Sequence, residues 1–445
     1  MTTTLELSRP PLPVRMINRF ARFLEAAGAT FCMPTAPNLI AAAKVRCGLD
    51  DFGDGKFFEP LSRLLESCRS EARLNLIGRF ALRSDVIRIL SNRLLLERDR
   101  RSNPDIERHE IRQPLFIVGL PRSGTTLLHT LFATDPSHRV PLTWEVMFPS
   151  FPSGRDEQHS RIRQVERSLF LLRWLAPTFR HVHALGAELP QECVGLMGLS
   201  MMSDQFDTMY RVPSYRSWLF NQDLLPAYES HRQFLQHLQH RSGPRRWVLK
   251  APVHMFALPT LLSVYPDALF VQVHRDPLEA ITSVSSLVAI LRRVFSDTVD
   301  PVEVGRDALQ YWSTTMATFL RERDRLPAHR ICDLDYAQIR RDPIAAVQQL
   351  YRHFGWELSS RAQERMREVL ANQPREQNGF HRYNASQFGL DRDEVNERFA
   401  GYRERFGLTG HTEAASPRSV SRSTGTLCQT PSIGVWDSRG ADSSG

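Results

Sequence analysis

Two different spacings of apolar residues divide this chain. From Val14 to about Arg101 they recur at helical intervals: Ile17, Phe20, Phe23 and Leu24, then Leu61, Leu64 and Leu65, then Val86, Ile87, Leu90 and Leu94. Asn103-Pro104 closes this stretch, because the residue before a proline is pushed out of the helical region. The pattern predicts a helical N-terminal region over residues 1–110, packed as a cap on the next domain or offered to a partner. Beyond it, short unbroken apolar runs alternate with helical stretches. Leu115–Val118, the run from Trp247 to Leu249 before Lys250, and Ala268–Val273 read as strands buried on both faces. Arg330–Leu334 reads as a fourth strand. Between the first two runs, residues 156–243 are mainly helical, with Asp156–Leu175 and Glu229–His240 the clearest segments. Ser360 and Gln363 form a capping-box pattern for a helix over Arg361–Leu370. Strands alternating with helices predict an α/β domain over residues 111–408, a P-loop-like, mostly parallel sheet flanked by helices and interrupted by a helical insertion.

Three stretches change this picture little. Ala26–Ala43 carries no charge over 18 residues, but Pro34, Pro37 and Asn38 break it into two helices and a turn. It is not a transmembrane span; a peripheral membrane contact stays open. Arg15, Arg19 and Arg22 interrupt the early apolar positions, so no signal peptide is expected. From about Thr409 the composition turns to Ser, Thr, Gly, Arg and Pro without apolar periodicity, and residues 409–445 are expected to be a disordered tail.

Composition narrows the function. The net charge of +8 over 445 residues fits an anionic ligand. No basic run carries interleaved aromatics, which argues against nucleic acid as a partner. Six scattered cysteines (Cys32, Cys47, Cys68, Cys193, Cys332, Cys428) without a C-x-x-C indicate a reducing, cytoplasmic location. The pairs His181/His183 and His237/His240 read as ordinary histidines rather than half metal sites.

The most informative stretch is Pro114–Thr130. An apolar strand runs into a turn punctuated by Gly119, Pro121 and Gly124, and Thr125 begins a helix with Leu127, Leu128 and Leu131. Strand, glycine-bearing loop and helix N-terminus make an anion site, where free N–H groups and the helix dipole converge. Gly119-x4-Gly124 has Walker A spacing, but Thr125 stands where a nucleoside triphosphatase needs lysine. The loop's cation is Arg122, whose planar fork suits a tetrahedral oxyanion. Two further cations sit at or beside strand ends, Lys250 and Arg275. Asp276-Pro277 is a helix start, with Ser283 inside that helix. Glu145 follows the first strand–helix unit in Leu142-Thr-Trp-Glu145. The insertion's Phe206, Tyr210, Tyr215 and Trp218 are either an acceptor pocket or core.

On these motifs the sequence resembles the PAPS-dependent sulfotransferases, most closely the bacterial branch related to the tyrosylprotein sulfotransferases; PAPS is 3′-phosphoadenosine-5′-phosphosulfate. Gly119-Leu-Pro-Arg-Ser-Gly-Thr-Thr126 is similar to that family's 5′-phosphosulfate loop. His274-Arg-Asp-Pro277 with Ser283 resembles its 3′-phosphate motif, Lys250 its catalytic lysine, and Glu145 the position of its acidic general base. The resemblance covers about residues 112–408. It implies that Gly119, Arg122, Ser123, Gly124, Thr125, Thr126, Arg275 and Ser283 bind the cofactor. Glu145, Lys250 and Arg122 would carry catalysis, with His183 and His254 as reserve bases and no metal required. The family's C-terminal phosphate-gripping segment is replaced by Gly379-Phe-His-Arg-Tyr383, where Arg382 is the candidate ligand. The implied reaction moves a sulfuryl group from PAPS to a hydroxyl of a small-molecule, lipid or glycoside acceptor. Two other readings compete. A kinase or NTPase on a degenerate P-loop would need a Walker B aspartate, yet the third strand ends His274-Arg275 and Asp276 suits a helix cap. A PAPS-binding protein without catalysis would need neither Lys250 nor Glu145.

Overall fold

The computed structural model describes residues 11–28, 32–152, 154–179, 184–372 and 384–408. Residues 1–10 and 409–445, with His181, His183 and Arg382, lie outside the described residues. Five strands build one sheet: β1 (Leu115–Gly119), β2 (His138–Arg139), β3 (Arg246–Lys250), β4 (Leu269–His274) and β5 (Ile331–Asp335). Every pairing is parallel, in the order β2-β3-β1-β4-β5. β2 has two residues and no apolar run, so periodicity gave no sign of it. From β1 the chain moves toward β2 and β3 on one side, then crosses to β4 and β5 on the other. That reversal puts a crevice outside the carboxyl end of β1, the place where open α/β sheets bind ligands. Gly119, Lys250, His274 and Asp335 all lie at this edge.

Period-two alternation sorts the strand side chains into two cores. Leu115, Ile117, Val248, Val271 and Val273 face one side, against Leu128, Phe132, Val347 and Tyr351. Phe116, Val118, Leu249 and Phe270 face the other, where the N-terminal helices Ala36–Cys47, Phe58–Ser70 and Leu76–Ser102 share their core. The longest of these starts with Asn75, whose Oδ1 accepts the Gly78 N–H at 2.8 Å. Gly78 in turn lets that helix lie against the Phe295 carbonyl, which a Cβ would strike.

The first helix, Leu12–Ala26, differs from its expected orientation. It turns Phe20 and Phe23 outward, 62% and 67% exposed, and buries Val14, Asn18 and Ala21 instead. The buried stripe is narrow and small, which allows close packing, and Arg22 fastens the helix to Asp297 at 3.0 Å. The pattern at Ser360 also resolves differently. Ser359 Oγ accepts the Ala362 N–H at 3.2 Å, while the Gln363 amide oxygen accepts from Gln348 at 3.2 Å, so no capping box forms. In the insertion, Phe206, Tyr210 and Tyr215 are buried core residues and Trp218 is half-buried. Tyr215 satisfies its hydroxyl by donating to the Met201 carbonyl at 2.6 Å. No described helix is long and apolar enough to cross a membrane.

The tightest backbone approach in the sheet is at Gly119, which has φ +140° and lies against the Val273 carbonyl of β4. Gly119→Ala would drive a methyl into that carbonyl and strain the backbone as well. Its urea midpoint should fall by the equivalent of roughly 2 kcal/mol or more; an unchanged midpoint would show that the strands part at no cost.

Candidate active site

Beyond Gly119 the loop is shaped by backbone conformations that side chains rarely adopt. Arg122 has φ +68° and Gly124 φ +83°. A Cβ on Gly124 would come to 3.0 Å from the Tyr336 ring, and its positive φ strains any other residue, so this turn favours glycine. Ser123 Oγ donates to the Leu120 carbonyl at 2.7 Å and fixes the turn from inside. The helix Thr125–Ala133 then begins with no side-chain cap. Its first N–H groups, together with the helix dipole, are directed at whatever anion occupies the loop.

The β4 end joins the same constellation. Arg122 Nε donates to Ser283 Oγ at 3.3 Å. Arg275 donates through Nη1 to the Arg122 carbonyl, lies over the Tyr336 ring at 4.3 Å and pairs with Glu279 at 3.0 Å. Loop and β4 motif are thus one cluster, although 153 residues separate Arg275 from Arg122. Asp276 accepts the Glu279 N–H at 3.2 Å and binds Arg403 at 3.0 Å, so its oxygens serve the helix start and an ion pair. His274 points the other way, bonded to Asp333 at 2.9 Å and stacked on Phe406 at 3.8 Å.

Lys250 closes the site from β3. Its side chain is 4% exposed, and Nζ lies 3.3 Å from Thr126 Oγ1 in the loop helix. The same ammonium forms an ion pair with Glu192. Sequence reasoning missed Glu192, which stands 58 residues before Lys250 inside the insertion and belongs to no recognisable spacing. A short antiparallel contact brings it in: Leu142 bridges Pro190, and the Gln191 N–H donates to the Pro141 carbonyl at 2.8 Å. Only its place as the residue before the five-residue helix Cys193–Met197 could have drawn notice.

Glu145, expected as the acidic general base, is buried with both of its oxygens engaged. One oxygen accepts from Arg139 Nη2 at 2.7 Å, and the other from the Leu142 N–H at 3.0 Å and Arg139 Nη1 at 3.4 Å. Arg139 itself lies over the Trp247 ring at 4.9 Å. Glu145 therefore holds the Leu142 N–H at the helix start and makes a largely buried ion pair. His254 is fully buried, with its Nδ1 on the Tyr228 hydroxyl at 2.9 Å, and burial holds its pKa well below the ordinary range. A neutral imidazole closed off in this way has no route to an acceptor.

A family profile described as "Sulfotransferase family" matches residues 114–360, more than half of the chain. The chain belongs to the sulfotransferase family. It is similar to the omega-hydroxy-beta-dihydromenaquinone-9 sulfotransferase Stf3 of Mycobacterium bovis and of Mycobacterium tuberculosis, with 25% identity over 317 residues, 67% of this chain and 76% of the relative. Among solved structures, sulfotransferase STF1 from Mycobacterium tuberculosis H37Rv superposes with a TM-score of 0.74 at 33% identity, covering 83% of this chain and 99% of that one. Sulfotransferase STF9 from Mycobacterium avium gives 0.74 at 26% identity, covering 85% and 98%. The protein is thus a bacterial-type, PAPS-dependent sulfotransferase that moves a sulfuryl group from PAPS to an acceptor hydroxyl. The loop fits such a donor: an uncapped helix N-terminus and a cradle that a Cβ would fill suit an anionic group.

If the Glu145–Arg139 pair is structural, its loss should register in stability. Glu145→Gln leaves the Arg139 charge, 12% exposed, without its counter-ion. A cost of about 3–5 kcal/mol is expected, read as a lower urea midpoint. A wild-type midpoint would show that the carboxylate is not needed there.

Proposed function

We propose that Lys250 and Glu192 are the acid–base centre of this sulfotransferase. The observation that carries the reading is the Lys250 ammonium, which touches Thr126 of the anion loop and Glu192 of the insertion at once. PAPS supplies an activated sulfuryl group when bound. Loop N–H groups with Ser123, Thr125 and Thr126 hold its 5′-phosphosulfate, and Gly119 and Gly124 let the backbone come close. Arg275 and Ser283, which both meet Arg122, hold its 3′-phosphate. Arg122 and Lys250 balance charge that spreads over the sulfuryl oxygens as the acceptor attacks in line. Glu192 takes the proton from the acceptor hydroxyl, a role that commonly contributes about 10²–10⁴-fold. Glu145 keeps the β2 side of the site in place through Arg139. A tie to the tyrosylprotein sulfotransferases has only the chain position of Glu145 in its favour, and the two engaged oxygens of that residue weigh against using it.

For the acceptor we infer an apolar, lipid-like alcohol. The support is twofold: a relative is named for an omega-hydroxylated dihydromenaquinone, and the first helix exposes Met16, Phe20 and Phe23 beside Arg15 and Arg19, which suits a peripheral contact with lipid. Free thiols at Cys47, Cys68, Cys193 and Cys332 support a cytoplasmic location. Radiolabelled PAPS with a cell lipid extract tests the inference; label confined to water-soluble products would reject it.

Two variants probe the residue roles. Arg275→Ala should weaken binding of adenosine 3′,5′-bisphosphate by roughly 1.5–3 kcal/mol, with far less effect on adenosine 5′-phosphate, as titration calorimetry would measure. Equal losses would mean that Arg275 does not read the 3′-phosphate. Glu192→Gln should keep nucleotide affinity and lose about 10²-fold or more in turnover. Near-normal turnover in Glu192→Gln together with a collapse in Glu145→Gln, both measured on folded protein, would transfer the base role to Glu145.

A further inference from the structure

Sulfuryl transfer leaves unused a group of side chains beside the Lys250–Glu192 pair. Cys193, His231 and His254 come from three elements: the helix Cys193–Met197, the helix Leu225–Ser242 and the turn Pro252–Met255. All three residues are 0% exposed. One donor atom from each lies within 4.8 Å of the other two. Hydrogen bonding shows which nitrogens remain for a ligand. His231 Nδ1 lies 2.7 Å from the Tyr265 hydroxyl, and His254 Nδ1 lies 2.9 Å from the Tyr228 hydroxyl. Both Nε2 atoms are buried without a hydrogen-bond partner. Phe116 of β1 covers the group, its ring 4.9 Å from that of His254 and 5.5 Å from that of Tyr265.

Buried polar atoms nearly always find partners, so two open imidazole nitrogens beside a thiol call for an occupant. A hydroxyl on each Nδ1 is the outer-shell contact that orients a metal-binding histidine and leaves the Nε2 lone pair to coordinate. We propose that Cys193, His231 and His254 bind one zinc ion. One sulfur and two imidazole nitrogens suit zinc and, among the alternatives, copper(I); with no carboxylate in the set, magnesium and calcium are disfavoured. Zinc holds nitrogen at about 2.0–2.1 Å and sulfur at about 2.3 Å, so the donors must draw closer together around the ion. Binding releases the thiol proton and leaves Cys193 as thiolate. The ion would not take part in sulfuryl transfer. Cys193 follows Glu192 directly and His254 follows Lys250 by four residues, so the metal would clamp together the two segments that carry the proposed acid–base pair.

The test uses the full chain expressed in zinc-supplemented medium, gel-filtered and assayed for metal by mass spectrometry. About one zinc per chain is expected for the wild type, and under about a tenth for Cys193→Ser combined with His231→Ala. Should the double variant fail to fold, wild-type protein produced with cobalt in place of zinc decides the matter: it should show a thiolate-to-cobalt charge-transfer band. Wild-type protein without zinc, copper or that band would overturn the proposal and leave a buried water as the bridge between the two Nε2 atoms. Full zinc retention in a folded double variant would overturn it equally, since the ion would then lie elsewhere.

Discussion

Everything at the ligand edge depends on how closely β1 can approach β4. Gly119 lies against the Val273 carbonyl with no room for a side chain between them. This contact sets where β1 stops, and therefore where the following loop turns back over the sheet. The loop then meets a second restriction of the same kind, Gly124 against Tyr336 at the end of β5. Two glycines, each pressed on a neighbouring strand or its extension, hold the anion loop from both sides. An anion site made of backbone N–H groups is only as good as its preorganisation, since weak dipoles must be aimed before the ligand arrives. Steric closure supplies that aim without spending a side chain on it.

Charge in the crevice is arranged around a buried ammonium. Lys250 is desolvated at the end of a central strand, a cost met by Glu192 and by the Thr126 hydroxyl. Nearby His129 is fully buried and donates through Nε2 to the Val248 carbonyl at 3.0 Å. Burial first, and the Lys250 charge second, push its pKa down to about 3. The imidazole stays neutral at any working pH and so adds no second positive charge beneath the lysine. The ammonium at the carboxyl end of β3 is thus opposed by the Glu192 carboxylate.

Much of this was legible in the sequence, for reasons that particular residues make plain. β1, β3 and β4 are buried on both faces, so their apolar runs are unbroken and their ends mark Gly119, Lys250 and His274. Asp276-Pro277 announced a cap that forms as written. What stayed hidden depends on contacts between distant segments. β2 is a strand only because Arg139 pairs beside Trp247. The first helix has a clear apolar stripe, but periodicity alone does not say whether that stripe turns inward; tight packing of Val14 and Ala21 turned it out. Cys193, His231 and His254 share no spacing that a one-dimensional pattern could reveal. Glu192 escaped for the same reason, being brought to Lys250 by the bridge between Leu142 and Pro190.

That bridge also carries two carboxylates with different partners. Pro141–Thr143 and Leu189–Gln191 pair through backbone hydrogen bonds, so Glu145 and Glu192 are carried by adjoining strands of chain. Glu145 faces an arginine whose planar fork takes one oxygen squarely and reaches the other, while the Leu142 N–H holds that second oxygen. Its side chain is 10% exposed, and Arg139 is pinned over an indole. Freeing such a group for a substrate means breaking a fixed, desolvated pair. Glu192 faces a flexible ammonium, which can shift its attention to a developing anion, and its own side chain is 25% exposed. A base must release its counter-ion when the substrate hydroxyl arrives and must pass the proton on to water afterwards. On the proposed assignment the partner decides between the two carboxylates: a guanidinium fork makes a clamp, whereas a lysine makes a pair that can open.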